Sequence, residues 1–93
     1  MITAIVLIET DVNRIPEAAE QIAGIEGVSE VYSVAGDADL VAMVRVREHD
    51  HLADVIADKV SKVPGVRATK TFIAFRTYSR HDLESAFSLG LDS

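Results

Sequence analysis

Ninety-three residues make one small domain, and a hydrophobic content of 48% is more than a disordered chain carries. The absence of cysteine excludes disulfides, thiolate metal sites and cysteine nucleophiles together. Fifteen acids against nine bases give a net charge of −6, so the domain lacks the basic face that a phosphate backbone requires, and direct nucleic-acid binding is not expected.

The acid excess is uneven. Residues 1–44 hold eight acids and the single base Arg14, whereas residues 45–93 hold eight bases and seven acids. No apolar run reaches the roughly 18 residues of a membrane span, so no membrane insertion is expected. The start, Met1-Ile2-Thr3, carries no basic leader, which makes the cytoplasm the expected compartment.

In chain order, Ile2 to Glu9 is rich in β-branched residues and predicts a first strand. Asn13 is a candidate N-cap, and Pro16 suits a first helical turn, where a missing N–H costs little. Ile15, Ala18, Ala19 and Ile22 then fall at i, i+3, i+4 and i+7, the stripe of an amphipathic helix that Gly24 and Gly27 stop. Val28 to Ala35 predicts a second strand and Leu40 to Val46 a third, with Gly36-Asp37-Ala38-Asp39 as the turn between them. Asp50 is a candidate cap for a second helix striped by Leu52, Val55, Ile56, Val60 and Val63 and ended by Pro64-Gly65. Val66 to Tyr78 predicts a long fourth strand. Ser79-x-x-Asp82 is a capping-box pattern that would open a short helix with Leu83, Ala86 and Phe87 on one side.

A repeat underlies this order. Ile22-x-x-Ile25-Glu26-Gly27-Val28 matches Val60-x-x-Val63-Pro64-Gly65-Val66 at a constant offset of 38 residues. Two β-α-β units in series predict an α+β fold of the ferredoxin-like βαββαβ type. Its expected form is a four-stranded antiparallel sheet in the order 4-1-3-2, two helices on one face and a short C-terminal helix. Residues 1–78 would form the domain and 79–93 the final helix and tail.

Two helices leave one face of such a sheet uncovered. In the first strand Ile2, Ala4, Val6 and Ile8 alternate with Ile5 and Leu7, and in the third Leu40, Ala42, Val44 and Val46 alternate with Val41 and Met43. Both faces are therefore apolar at their middles, unlike an antiparallel sheet with a wet side. An uncovered apolar patch marks an interface, so Ile5, Leu7, Val41 and Met43 are expected to form a face-to-face homodimer. The alternative is that the C-terminal helix covers part of this face within one chain.

Groups that could carry chemistry are few. His49 and His51 flank Asp50 at a strand-to-helix junction and His81 stands in the last helix, a spacing that suits solvated groups better than the three or four converging ligands of a metal site. No nucleophile motif, phosphate loop or dinucleotide fingerprint is present, so no catalytic residue and no cofactor are expected. Asp37 and Asp39 sit in a glycine turn, where aspartate commonly accepts backbone N–H bonds. Phe72, Phe75 and Tyr78 on the fourth strand read as core packing.

The stretch Ser33-Val34-Ala35-Gly36-Asp37-Ala38-Asp39-Leu40 lies between helices that end in Gly27-Val28 and Pro64-Gly65-Val66. On these residues, and on Thr69 and Thr71 after them, the chain resembles the effector-binding and assembly (RAM) module of the Lrp/AsnC transcription regulators. Gly36-Asp37-Ala38-Asp39 resembles the family's Gly-x-aromatic-Asp turn, with Ala38 in place of the aromatic. The family's regulators carry a helix-turn-helix domain ahead of this module, whereas here the first strand begins at Ile2, so a stand-alone version is expected.

The resemblance implies dimers that pair through their sheets and assemble into rings, commonly octamers, with amino acids bound between dimers. Gly36, Asp37, Ala38, Asp39, Thr69 and Thr71 would line that ligand site. Aspartate would accept from an ammonium, and threonine hydroxyls and backbone N–H groups would donate to a carboxylate. The expected function is therefore non-enzymatic amino-acid sensing and oligomerisation, with co-assembly with full-length regulators as a further possibility. Two other functions stay open. One is a dimeric α+β-barrel enzyme of the small monooxygenase or isomerase kind, against which the purely aliphatic helix stripes argue. The other is an assembly protein without ligand.

Overall fold

The computed structural model describes residues 1–80. Strand β1 (Ile2–Thr10), helix α1 (Ile15–Ala23), strands β2 (Val28–Ser33) and β3 (Leu40–Val46), helix α2 (His49–Ala53) and strand β4 (Val66–Ala74) follow one another along the chain. All four strands are antiparallel in one sheet ordered β2-β3-β1-β4, the arrangement that the repeat predicts.

Alternation along the central strands decides which residues the helices cover. Ala4, Val6 and Ile8 of β1 and Leu40, Ala42 and Val44 of β3 are fully buried, packed with Ala18 and Ile22 of α1 and with Leu52, Val55, Val60 and Val63 of the second helical segment. The layer between sheet and helices is thus aliphatic throughout. The buried polar residue among those described is Thr10, at the end of β1.

The repeat is exact in geometry as well as in residue type. Gly27 and Gly65 have φ of +100° and +99°, in the left-handed region that favours glycine. Val28 N–H donates to Ile25 and Val66 N–H to Val63, both at 3.0 Å. Each glycine also backs onto the other half. A Cβ on Gly27 would stand 3.0 Å from Val55 Cγ2, and one on Gly65 would stand 2.7 Å from Arg14 Cβ.

Several local expectations are corrected. Asn13 is no cap: it lies inside a 3₁₀ turn, Val12–Arg14, that precedes α1, and Arg14 takes the N-cap position. Asp50 stands in the first turn of α2, whose N-cap is Glu48. The second helix is not one regular cylinder. After Ala53 it widens into a π-helical segment, Asp54–Lys59, and tightens into a 3₁₀ turn, Val60–Lys62.

Two strands end early. β2 stops at Ser33 rather than Ala35, and β4 at Ala74 rather than Tyr78. For β4 the reason is its single neighbour: β1 begins at Ile2, and the last pair is Thr3 opposite Ala74. The chain beyond has no strand to pair with. Phe72 is accordingly half-exposed, and Phe75 and Tyr78 are 97% and 80% exposed, so these aromatics do not pack in the core. The short helix expected after Ser79, with His81, lies outside the described residues.

The uncovered face is apolar at its centre. Cross-strand pairing sets two rows there, Glu30–Met43–Ile5–Phe72 and Tyr32–Val41–Leu7–Lys70. Ile5, Leu7, Val41 and Met43 thus form one contiguous four-residue patch that the two helices leave open. Charge collects at its margins, where Arg45 Nη1 stands 3.8 Å from Glu30 Oε1.

Candidate functional site at the end of strand β1

The turn between β2 and β3 is fastened to β1. Asp39 N–H donates to the Ile8 carbonyl at 2.9 Å, and Asp39 Oδ2 accepts from the Thr10 N–H at 2.9 Å. The Asp39 carbonyl in turn accepts from Val34 N–H at 3.1 Å, which closes the loop on itself. A carboxylate that holds a strand N–H replaces a ladder bond, and β1 needs one here because its pairing with β3 ends at Ile8 opposite Leu40, one N–H short of Thr10.

Gly36 serves this turn through its backbone. Its φ is +137°, and no heavy atom lies within 4 Å of where a Cβ would stand. Conformation, rather than crowding, calls for glycine at this position.

Beside the turn opens a cleft of about 320 Å³. Asp37 and Ala38 form one wall. Leu7 and Glu9 of β1, with Ala68, Thr69 and Lys70 of β4, form the rest. The antiparallel register explains this grouping, because Leu7 lies opposite Lys70 and Glu9 opposite Ala68. The cleft therefore carries two carboxylates (Glu9, Asp37), an ammonium (Lys70) and an apolar floor, with Thr69 bordering it from β4. Both signs of charge face one small concavity, which suits a small ligand that also carries both.

Of the six residues expected at the ligand site, the structure brings Asp37, Ala38 and Thr69 together. Gly36 and Asp39 shape the turn behind them. Thr71 lies opposite Val6 and Thr69 opposite Ile8, on the helix side of β4; Thr71 is exposed and stands outside the cleft lining. Glu9 and Lys70 went unnoticed in the sequence. The signal that finds them is the register of β1 against β4, which becomes visible once the strand order is known.

Other polar groups lie elsewhere. His49 and His51 are exposed at the start of α2. On the open face, the phenol of Tyr32 is held above its ordinary pKa, first by its hydrogen bond with Glu30, then by desolvation and the Glu30 charge, with Arg45 acting in the opposite direction. No described helix is long and apolar enough to cross a membrane.

Comparison with known proteins agrees with this fold. The Lrp/AsnC ligand binding domain matches residues 3–83. An uncharacterised HTH-type transcriptional regulator of Pyrococcus furiosus, PF0250, is 38% identical over 78 residues, 81% of this chain and 52% of that protein. The chain spans about half the length of the curated relatives it matches. The crystal structure of TTHA0845 from Thermus thermophilus superposes with a TM-score of 0.81 at 46% identity, covering 86% of this chain and 100% of that one. The transcriptional regulator NMB0573 of Neisseria meningitidis, solved as its L-methionine complex, shares the fold at a TM-score of 0.76 and 11% identity, covering 85% of this chain and 53% of its own. With 81 of its 93 residues inside the family match, this chain belongs to the Lrp/AsnC ligand-binding-domain family.

Proposed function

We propose that this chain is a non-enzymatic module that senses a free amino acid and assembles through its sheet face. The observation that carries the reading is the cleft at the end of β1, where Glu9 and Asp37 stand with Lys70 around an apolar floor. A zwitterion loses hydration on both charges when it binds, so a site must partner both. Glu9 and Asp37 accept from the ammonium, Lys70 donates to the carboxylate beside the Thr69 backbone, and Leu7, Ala38 and Ala68 surround the side chain. The L-methionine complex of NMB0573 supports an amino acid as the ligand class.

The assembly follows from the open face. Ile5, Leu7, Val41 and Met43 pair with the same patch of a second copy, so the cleft, which shares Leu7 with that patch, lies at the rim of the dimer contact, and dimers assemble further into a ring. The same surface serves co-assembly with full-length regulators in the cytoplasm. Against an enzyme stands the aliphatic filling between sheet and helices, which leaves no titratable group among the described residues where a barrel enzyme would need one.

A thermal-shift screen with the twenty amino acids tests the ligand. A ligand that binds only the folded state raises stability by RT ln(1 + [L]/Kd), so at least one amino acid should raise the melting temperature in a dose-dependent way. Lys70→Met should abolish that rise. No shift with any of the twenty would leave a ligand-free assembly protein as the better reading.

A further inference from the structure

A second cleft, of about 480 Å³, opens at the opposite end of the sheet. It is about 25 Å from the first along β1, from the rise of a strand. Gly27, Val46 and Val55 form its floor; Arg47, His51 and Lys59 stand around it with Glu26 and Asp54.

Two independent observations point to a ligand here. The first is charge. The chain carries −6 overall and has no base but Arg14 before residue 45, yet Arg45, Arg47 and Lys59 line this one concavity against two acids, Glu26 and Asp54, with the imidazole of His51 beside them. The second is helix geometry. The segment Asp54–Lys59 is π-helical where it lines the cleft, a rare geometry that is frequent at functional sites.

The apolar pattern alone does not require the wide turn. Leu52, Ile56, Val60 and Val63 follow regular α spacing and would face the sheet in an unbroken helix. The π-turn changes which other residues share a side. Positions five apart lie about 140° apart around an α-helix, but share one side across a π-turn, as positions four apart do in an α-helix. Asp54 and Lys59 are five apart, and both line the cleft. Val55 and Val60 are also five apart, and both are buried, Val55 in the space that the missing Cβ of Gly27 leaves. The deformation thus holds Lys59 at the cleft beside Asp54.

We propose that this cleft binds a small polyhydroxylated anion. The forked guanidinium of Arg47 pairs with two anionic oxygens, Lys59 adds a point charge, and His51 adds a ring N–H. Glu26 and Asp54 accept from the ligand's hydroxyls, and the apolar floor takes its carbon frame. Sugar phosphates and sugar acids share this chemistry.

Amide NMR titrations with ribose 5-phosphate, gluconate and ribose, at matched ionic strength, test the assignment. At least one of the two anions should shift the amides of Gly27, Val46 and Val55 while Ala68 and Leu7 stay in place, and ribose should shift none of them. The stronger of the two anions identifies phosphate or carboxylate as the head group. Arg47→Gln and Lys59→Met, both at exposed positions, should weaken binding about tenfold each, the worth of one charge-assisted hydrogen bond. Asp54→Asn removes a carboxylate that repels any anion here, so inorganic phosphate should bind more tightly, while the polyhydroxylated anion should gain less because its hydroxyls lose a charged acceptor. The proposal is overturned if neither anion moves these amides at tens of millimolar, if ribose moves them equally, or if the two cation variants bind like the wild type.

Discussion

Asp39 and Asp37 are two residues apart and do different work. Asp39 holds the Thr10 N–H through Oδ2 while its own N–H and carbonyl are engaged by Ile8 and Val34. Asp37 is exposed and lines the cleft. Asp39→Ala should therefore cost about 1–3 kcal/mol of stability, because it strands a partly buried N–H. Asp37→Asn should leave melting unchanged and lower amino-acid affinity by about 1.5–3 kcal/mol, the range for a hydrogen bond to a charge. Calorimetric melting and isothermal titration on the two variants separate the roles. Equal effects on both quantities would refute the division of labour.

Tyr32 gives a second test at this scale. Its phenol is held neutral beyond the ordinary range chiefly by Glu30, so the folded pKa lies above the unfolded one. The sign follows: this contribution to stability is fully present below about pH 10 and is lost as pH rises through the folded value. Ultraviolet titration of the phenolate should show Tyr32 ionising at lower pH in Glu30→Gln than in the wild type. No change would mean that Glu30 does not hold the hydroxyl.

Among the elements, the strands were the most legible in the sequence because their information is local. Ala4, Val6 and Ile8 against Ile5 and Leu7 fix which face is inward, and the 38-residue offset fixes how many such units exist. The π-turn at Asp54–Lys59 was hidden because Leu52, Ile56, Val60 and Val63 read as an ordinary stripe, whereas its buried Val55 packs on Gly27, in the turn ahead of β2 and distant in sequence. The cleft was half legible for a related reason. Asp37 and Ala38 announce themselves as a turn, whereas Glu9 and Lys70 become neighbours of that turn only through strand pairing and a bulge. Composition had even less to say about β4: Phe75 and Tyr78 look like strand residues until the partner strand runs out.

The glycines supply a ranking at the same scale. Gly65→Ala meets both a positive φ and the Arg14 side chain at 2.7 Å, Gly36→Ala meets only a positive φ, and Gly24→Ala meets neither, with its nearest neighbour at 3.6 Å. Destabilisation should run in that order. It should be largest at Gly65, about 1–2 kcal/mol at Gly36, and neutral to slightly stabilising at Gly24. Urea midpoints of the three variants check the sequence, and a Gly24 variant less stable than the Gly65 variant would contradict it.

At the scale of the whole molecule, the proposed dimer rests on the open face. Met43 sits mid-sheet beside Ile5 and Val41, so Met43→Lys would place an ammonium in an apolar contact. Light scattering should find the wild type dimeric or larger at micromolar concentration and the variant dissociated, with the amide dispersion of a folded monomer retained. A wild type that is monomeric under those conditions would remove the sheet-face dimer and leave the cleft reading to stand alone.

The two halves of the repeat are woven rather than stacked. β1 pairs with β3 and β4, and β2 pairs with β3, so every ladder in the sheet joins a strand of the first half to a strand of the second. In solenoids each repeat touches only its neighbours and can come off in turn. Here neither half owns a single strand pair, so partial unfolding of one repeat would strip the other of its sheet. The slowest-exchanging amides of β1 and β3 should therefore share one opening free energy, equal to that of global unfolding. A chain cut in the Val34–Asp39 turn should give two pieces that are unstructured apart and regain the sheet only when mixed.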